Sequence, residues 1–446
     1  MPDTSLEEQL HKLTETQAIE KKKEADTEKK KAAAWVANPN RIAREIITDH
    51  QMIYYGDSLF SYCKGRYKIL SDNQAKQLVY QKVKDSYRPG HYKEIYESLI
   101  AQCLVESINL ISGVNLLNGV YDFTSGELLP HSANYLFTTQ VQAVYDPKAL
   151  CPRWRGFLVE MLDDDSAKID ILQEYAGYSL DINVNVEMIL FLLGRGANGK
   201  SVFCDALKVV IGDGNYDTIS LDDLKNKNYI AELLGKLINI STESQAKAEV
   251  YESALKKLAS GEEIKVDRKF KHPFNFRSNC KHIYSLNTLP RVGDKTDAFF
   301  RRLITVPFNR QVDQSKRVLQ LGRMIAKEES SGIINWMIEG YNRLRGNSWQ
   351  FTKSEQCDAI ANEYRHDNNN VLNFFDECCA FSESSFESNE HIYRNYTSWC
   401  KDNGVSPVKK TNCIKELVEN FKLTRLKTSG IRGLDGMVIV SSVLPF

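Results

Sequence analysis

Hydrophobic positions along this chain come in blocks whose period changes with position. Residues 188–193 (MILFLL) form a short, wholly apolar run bounded by Gly194, the pattern of a parallel strand buried on both faces. Residues 199–211 then take helical spacing, closed by Gly212. Ser220 followed by Asp223 signals a helix start for a segment reaching Leu234. A second buried strand is expected at 237–240, a helix at 246–259 ended by Gly261, and strand-like runs at 264–276 and 283–286. This alternation over 166–345 predicts an α/β domain built on a doubly wound sheet with helices on both faces.

The flanks read differently. Residues 5–35 are dominated by Glu, Lys and Ala, with almost nothing apolar to dock them, so 1–35 is expected to be a charged, solvated arm. Residues 36–165 mix helical and strand patterns. Turn signals at Asn118-Gly119 and Ser125-Gly126 flank a β-like run there and predict a hairpin. After a polar linker at 346–370, helical patterns near 371–380, 389–403 and 410–420 precede two short strands joined through Gly433 to Gly436. Three helices followed by a hairpin, over 371–446, is the outline of a DNA-binding winged helix-turn-helix.

Composition narrows the class. The chain has 446 residues, 42% apolar and 26% charged, which is ordinary for a globular protein and long enough for two or three domains. Its 58 basic and 58 acidic residues cancel, so any nucleic-acid surface must be a local patch. The ten cysteines have no CxxC pair or repeated spacing, as expected of thiols in a reducing cytoplasm. The N-terminus (MPDTSLEEQ) lacks the basic and apolar regions of a secretory signal, and no apolar run is long enough to span a bilayer. The expectation is a soluble, intracellular protein with no membrane partner.

The sharpest chemical signal is GRGANGKS at 194–201, which fits the phosphate-binding pattern G-x-x-x-x-G-K-[ST]. It lies after a buried strand and at a helix start, where that chemistry requires it. Glycines let backbone N–H groups close around phosphates, and the helix N-terminus adds partial positive charge. Gly194, Gly196, Asn198, Gly199, Lys200 and Ser201 are the candidate nucleotide-binding residues. Lys200 would reach the β- and γ-phosphates, and the Ser201 hydroxyl would ligate Mg²⁺. A carboxylate at a strand end must complete the metal site, and Glu243, closing LINISTE, supplies it; Thr242 occupies the place where a second acid is common. Residues 262–277 read as a hairpin with Lys269, Phe270, Lys271 and His272 at its tip. Such a tip contacts phosphates and packs on sugar or base, unless it is simply a solvated basic hairpin. Asn287, ending HIYSLN, is either a γ-phosphate sensor or a turn residue. Arg301 and Arg302 precede the strand-like LITVPF, as an arginine finger for a neighbouring subunit's nucleotide or as an ordinary ion-pairing couple.

In this order, and confined between Gly194 and Phe308, these elements resemble the superfamily 3 helicases. More closely, they are similar to the helicase part of phage and plasmid primase-helicases related to the poxvirus primase-helicase. NGVYDFTSGELLPH, VYDPKALCPRW and LQEYAGYSL resemble the helical domain that precedes the helicase in that family, and IYRNYTSWCKDNGVSP its C-terminal winged-helix region, so that about three quarters of the chain is covered. The resemblance implies an AAA+-like P-loop NTPase core using ATP and Mg²⁺, between a mostly helical N-terminal domain and a C-terminal winged helix. It assigns Lys200 and Ser201 to Walker A, Glu243 to the Walker B role, Lys269 and Phe270 to a DNA-translocating hairpin and Asn287 to the motif C sensor. Arg302 becomes the arginine finger, with Arg301 as the second candidate. Thr242 departs from the family and leaves open how metal binding and water activation are divided.

The function implied is ATP-driven unwinding of forked DNA by a hexameric ring that draws one strand through its channel. A phage, satellite or plasmid-type replicon in the host-cell cytoplasm is the implied setting, with a primase or replication-initiation protein as a further partner. About 190 residues precede the glycine-rich loop and no acidic triad is evident among them, so primer synthesis is not expected of this chain. The rival readings are an ATP-assembled origin-binding initiator that does not unwind, a small-molecule kinase indifferent to DNA, and a primase-helicase making primers with residues 36–165.

Overall fold

The computed structural model describes residues 19, 21–27, 38–84, 89–242, 251–267, 273–290, 292 and 297–440. They form two compact units, one of residues up to Tyr145 together with 265–276, the other of residues 146–264 and 277 onward. In the expected arm, residues 21–27 are helical and exposed.

In the first unit, α1 (Pro39–His50) starts on Asn38, whose side chain accepts from the Arg41 N–H. Strands β1 (Met52–Tyr55), β2 (Ser58–Cys63) and β3 (Arg66–Ile69) follow as an antiparallel meander. Helix α2 (Asp72–Val83) opens on a Ser71/Gln74 capping box, and α3 (Pro89–Cys103) follows. Ile42, Ala43 and Ile46 of α1 pack with Leu59, Val79 and Leu99 into one core. The Asn118-Gly119 turn joins β4 (Gly113–Leu116) to β5 (Gly119–Asp122), and the Gly126 N–H donates to the Asp122 carbonyl in the turn before β6 (Leu128–Leu129). The expected hairpin is thus part of a three-stranded sheet. With two such sheets this unit is mixed α/β rather than mostly helical; its strands are too short to show a clear alternation in sequence.

The second unit is built on five parallel strands in the order β13-β7-β12-β9-β8: β7 (Ile189–Leu193), β8 (Tyr216–Asp217), β9 (Ile238–Ser241), β12 (Lys281–Leu286) and β13 (Leu303–Pro307). Strands β9, β12 and β13 are buried along their whole length, which is why the apolar runs show no polar alternation. Strands β10 (Glu263–Val266) and β11 (Phe274–Arg277), parts of which fall in the 265–276 segment counted with the first unit, pair with each other. Helices α4 (Pro152–Met161) and α5 (Ser166–Tyr178) precede the sheet, α6 (Lys200–Ile211) follows β7, and the long α10 (Leu321–Gly346) packs on α5 and α6. Trp154 stacks on Phe157 and Phe203 and meets Trp336 edge-on. The Glu329 carboxylate, at a kink in α10, accepts from the Arg153 and Trp154 N–H groups at 3.0 and 2.9 Å and caps α4. These contacts fix α4 and α5 to the sheet domain, so the first unit ends at Tyr145 and not at residue 165.

Two further expectations change, and the helix expected at 246–259 is described only in part. The segment after Ser220 is not one helix: Ser220 does cap Asp223, but Asn226 caps again two residues before Asn228, leaving a 3-10 turn (Asp222–Lys225) and a short α7 (Lys227–Ala231). Helix α8 is described over Glu252–Ser260, and residues 243–250 lie outside the described residues. The expected linker at 346–370 contains α11 (Glu355–Asp367), capped by Ser354, after the short α9 (Asp297–Phe300) and β13. It is helical because it docks: Tyr364 is buried, donates to the Pro290 carbonyl at 2.6 Å, and meets Phe300 edge-on.

The C-terminal part has α12 (Asn370–Cys378), β14 (Cys379–Ser388), α13 (Asn389–Asp402), α14 (Lys410–Phe421), β15 (Thr424–Thr428) and β16 (Ile431–Ile439), with sheet order β14-β16-β15. The three helices fall where expected, but the hairpin is shifted: its turn is at Ser429–Gly430, and Gly433 to Gly436, expected to join the strands, lie inside β16. Strand β14 is not expected from its sequence: CAFSESSFES is rich in Ser and Glu, and a register shift between Ser382 and Phe386 breaks its alternation. Among the described residues no helix is long and apolar enough to cross a membrane.

Candidate active site

The glycine-rich loop leaves the C-terminal end of β7, the middle of three neighbouring strands, and returns as α6. Gly194 donates from its N–H to the Leu286 carbonyl of β12 at 3.1 Å, and the loop then turns through positive φ at Gly196 (45°), Ala197 (53°) and Gly199 (86°). Gly199 is also a packing requirement: a Cβ there would sit 2.8 Å from Cγ of Met161 on α4. Helix α6 has no side-chain cap at Gly199, so its first-turn N–H groups point into the loop.

Asn198 organises the loop. It is buried, donates from Nδ2 to the Phe308 carbonyl at 2.9 Å, and accepts from Lys200 Nζ at 2.9 Å. Lys200 also donates to the Gly194 carbonyl at 2.6 Å. Burial lowers the Lys200 pKa from the usual lysine value. The ammonium thus rests on acceptors of the loop itself.

Loop and sheet together wall a cavity of about 810 Å³ in the second unit. Lys200 and Ser201, Thr242 after β9, and Ser285 and Asn287 at the end of β12 line it. So do Phe157 and Met161 of α4, Val318, Leu319 and Leu321, and the cations Arg310, Lys316 and Arg317. Its volume and its mixture of apolar walls with a few polar groups are those of a small-molecule site. Sequence reading missed Phe157, Met161 and the 310–321 segment; the basic run NRQVDQSKR after Phe308 was the available signal.

The remaining candidates divide. Asn287 is exposed and shares the cavity with Lys200. Glu243 lies outside the described residues, as do Lys269, Phe270, Lys271 and His272. No cluster of metal-ligating side chains occurs among the described residues. Arg301 and Arg302 sit at the start of β13, where the Ile189 N–H donates to the Arg302 carbonyl at 2.8 Å. That is the opposite end of β7 from Gly194, about 16 Å away at the usual strand rise. Arg302 is mostly buried and bonded to Glu187, whereas Arg301 is exposed.

Three families match separate parts of the chain. D5 N terminal like matches residues 10–163, the family of unknown function DUF5906 matches 192–302, and Poxvirus D5 protein-like matches 366–429. A protein of Acanthamoeba polyphaga mimivirus named "Putative helicase L207/L206" is 25% identical over 258 residues, 54% of this chain, and the match spans a quarter of that protein's length. Two solved apo structures of the NrS-1 C-terminal region superpose with TM-scores of 0.49 and 0.48, at 14% and 13% identity. They cover 89% and 90% of this chain and 99% and 100% of those chains. D5-type models thus match both ends of the chain and a viral protein named as a putative helicase matches just over half of it, in agreement with the primase-helicase resemblance of its motifs.

Proposed function

We propose that the chain is an ATP-dependent, ring-forming DNA helicase of the superfamily 3 kind, serving replication of a virus-like or plasmid-like element. The observation that carries this reading is the convergence of Lys200, Thr242 and Asn287 on one cavity, from the ends of three neighbouring parallel strands. A nucleotide triphosphate fits that arrangement: the uncapped α6 N-terminus and Lys200 meet its phosphates, and the apolar wall of Phe157, Met161 and Leu319 meets its base. Ser201 and Glu243 would hold Mg²⁺, which would supply positive charge to offset that of the phosphates. Asn287 orients the attacking water or senses the γ-phosphate. The arginines at the base of β13 are too far from their own loop to help it; Arg302 is tied to Glu187, so the exposed Arg301 is the one that would serve a neighbouring protomer. Lys269, Phe270, Lys271 and His272 would grip single-stranded DNA in the channel of a hexamer.

The test is unwinding of a forked duplex with ATP and with a non-hydrolysable analogue. Wild-type protein unwinds only with ATP, and Lys200→Ala loses hydrolysis and unwinding together. Turnover without strand separation would instead favour the initiator reading, and a Lys200→Ala protein that unwinds at the wild-type rate would refute the site.

A further inference from the structure

The chain is electrically neutral as a whole, but its charge is not evenly spread. Residues 409–432 hold seven lysines and arginines against two glutamates. Some of this charge is locally satisfied: Lys410 pairs with Glu390, and Lys415 lies 3.7 Å from Glu419. Arg425, Lys427 and Arg432, all exposed on the β15–β16 hairpin, make no ion pair among the described residues.

Their register is the telling feature. Lys427 stands directly opposite Arg432, and Arg425 opposite Leu434. By strand alternation the three cations share one face of the hairpin. That face runs from the buried Leu434, in the core with α12, α13 and α14, out to a tip exposed at every residue from 424 to 432. Like charges directly across an antiparallel pair destabilise it, so an unneutralised Lys427/Arg432 couple is a cost that an anion between them would remove. The tip carries Leu426 and Ile431 but no aromatic ring, so it lacks the stacking platforms with which proteins hold single-stranded bases. Helix α14, in the same core, begins without a side-chain cap and exposes Thr411, Asn412 and Lys415 on its first turns, polar groups suited to a wide major groove.

We propose that Arg425, Lys427 and Arg432 form a clamp for the phosphate backbone of duplex DNA, with the exposed start of α14 facing the adjoining groove. The order helix-strand-helix-helix-strand-strand is that of a winged helix, and the proposal specifies which of its residues bind and which form of nucleic acid they take. It rests on the proposed DNA function but not on the nucleotide site.

The experiment measures fluorescence anisotropy of the full chain with a random-sequence DNA duplex across a salt series. ATP hydrolysis without DNA is followed in parallel as an independent readout. For Arg425→Ala/Lys427→Ala/Arg432→Ala the expected result is at least about tenfold weaker duplex binding. The slope of log K against log salt should fall by about 3, roughly one unit per lost phosphate contact, with basal hydrolysis unchanged. Lys427→Glu alone, which replaces the like-charge pair with an opposite one, should keep or raise Tm while weakening duplex binding. Unchanged affinity and slope in the triple variant would overturn the clamp. So would an equal loss on a single-stranded oligonucleotide, or wild-type binding to an RNA duplex of the same sequence that is as tight as to DNA. Lost hydrolysis with retained duplex binding would count against the motor and leave the clamp standing.

Discussion

Arg302 donates from Nη2 to the Glu187 carboxylate at 2.6 Å, joining the residue before β13 to the segment that leads into β7. Glu187 adopts φ 59°, a left-handed conformation that costs a non-glycine residue energy and is kept here by the surrounding contacts. Arg302 is therefore built into its own subunit, while its exposed neighbour Arg301 is not.

The two arginines should separate in experiment. Arg302→Ala breaks a mostly buried ion pair and should lower Tm by about one to two degrees, since about 1 kcal/mol shifts Tm by roughly 2–4 °C in a domain of 150–250 residues and by less in a longer one. Arg301→Ala should leave Tm unchanged while lowering ATP turnover by about a thousandfold or more, the lower end of what an arginine finger supplies. Differential scanning calorimetry and steady-state hydrolysis decide the matter; the reverse pattern would make Arg302 the finger.

Asn198 offers a second test, because it serves the loop twice. Asn198→Ala leaves the Phe308 carbonyl without its side-chain donor and removes one acceptor from Lys200. An unsatisfied buried group costs about 1–3 kcal/mol. The expected outcome is a lower Tm and a raised KM for ATP, with Lys200 still present to support residual turnover. A wild-type KM would show that the loop does not need this tether.

The loop itself was the most legible part of the chain, since an apolar strand, a glycine-rich turn and a helix are contiguous in sequence. Asn287 and Lys200 were legible as separate motifs, but only the strand order β13-β7-β12-β9-β8 shows why they meet. Phe157 and Met161 were not legible, because an aromatic and a methionine on an amphipathic helix look like any core pair. The docking of α11 through Tyr364 was hidden in the same way: its surface is polar, and the single buried tyrosine that anchors it carries no local signal. The β14 strand was lost because cross-strand pairing with β16, more than its own composition, holds it in place.

Lys281 gives a prediction in pH. It is fully buried at the start of β12, where Nζ donates to the Val184 and Asn279 carbonyls at 2.6 and 2.8 Å and lies 4.4 Å from the Tyr178 ring centre. Burial pulls its pKa down to about 7, against the coulombic pull of Asp181. Between about pH 7 and the ordinary lysine value the unfolded chain therefore holds a proton that the folded chain has released. Stability contributed by this group rises with pH through that window, and at lower pH the folded protein must carry a buried charge. Urea unfolding from pH 7 to 10 should show that rise in the wild type relative to Lys281→Met, which lacks it. Parallel curves for the two proteins would mean that Lys281 keeps its ordinary pKa.

Leu319 tests the apolar wall of the cavity. It is 88% exposed, an extreme for leucine, and lines the same cavity as Phe157 and Met161. A side chain that covers nothing in the free chain contributes little to folding, so its replacement should cost little stability. If a nucleotide base rests against it, Leu319→Asp removes buried apolar contact worth about 1–2 kcal/mol and sets a carboxylate beside an anionic ligand. KM for ATP should then rise by about tenfold or more, with Tm within a degree of wild type and kcat nearly preserved. Isothermal titration with a non-hydrolysable analogue reads the same loss directly. An unchanged affinity would place the base elsewhere, and a large fall in Tm would mean that Leu319 packs against the chain after all.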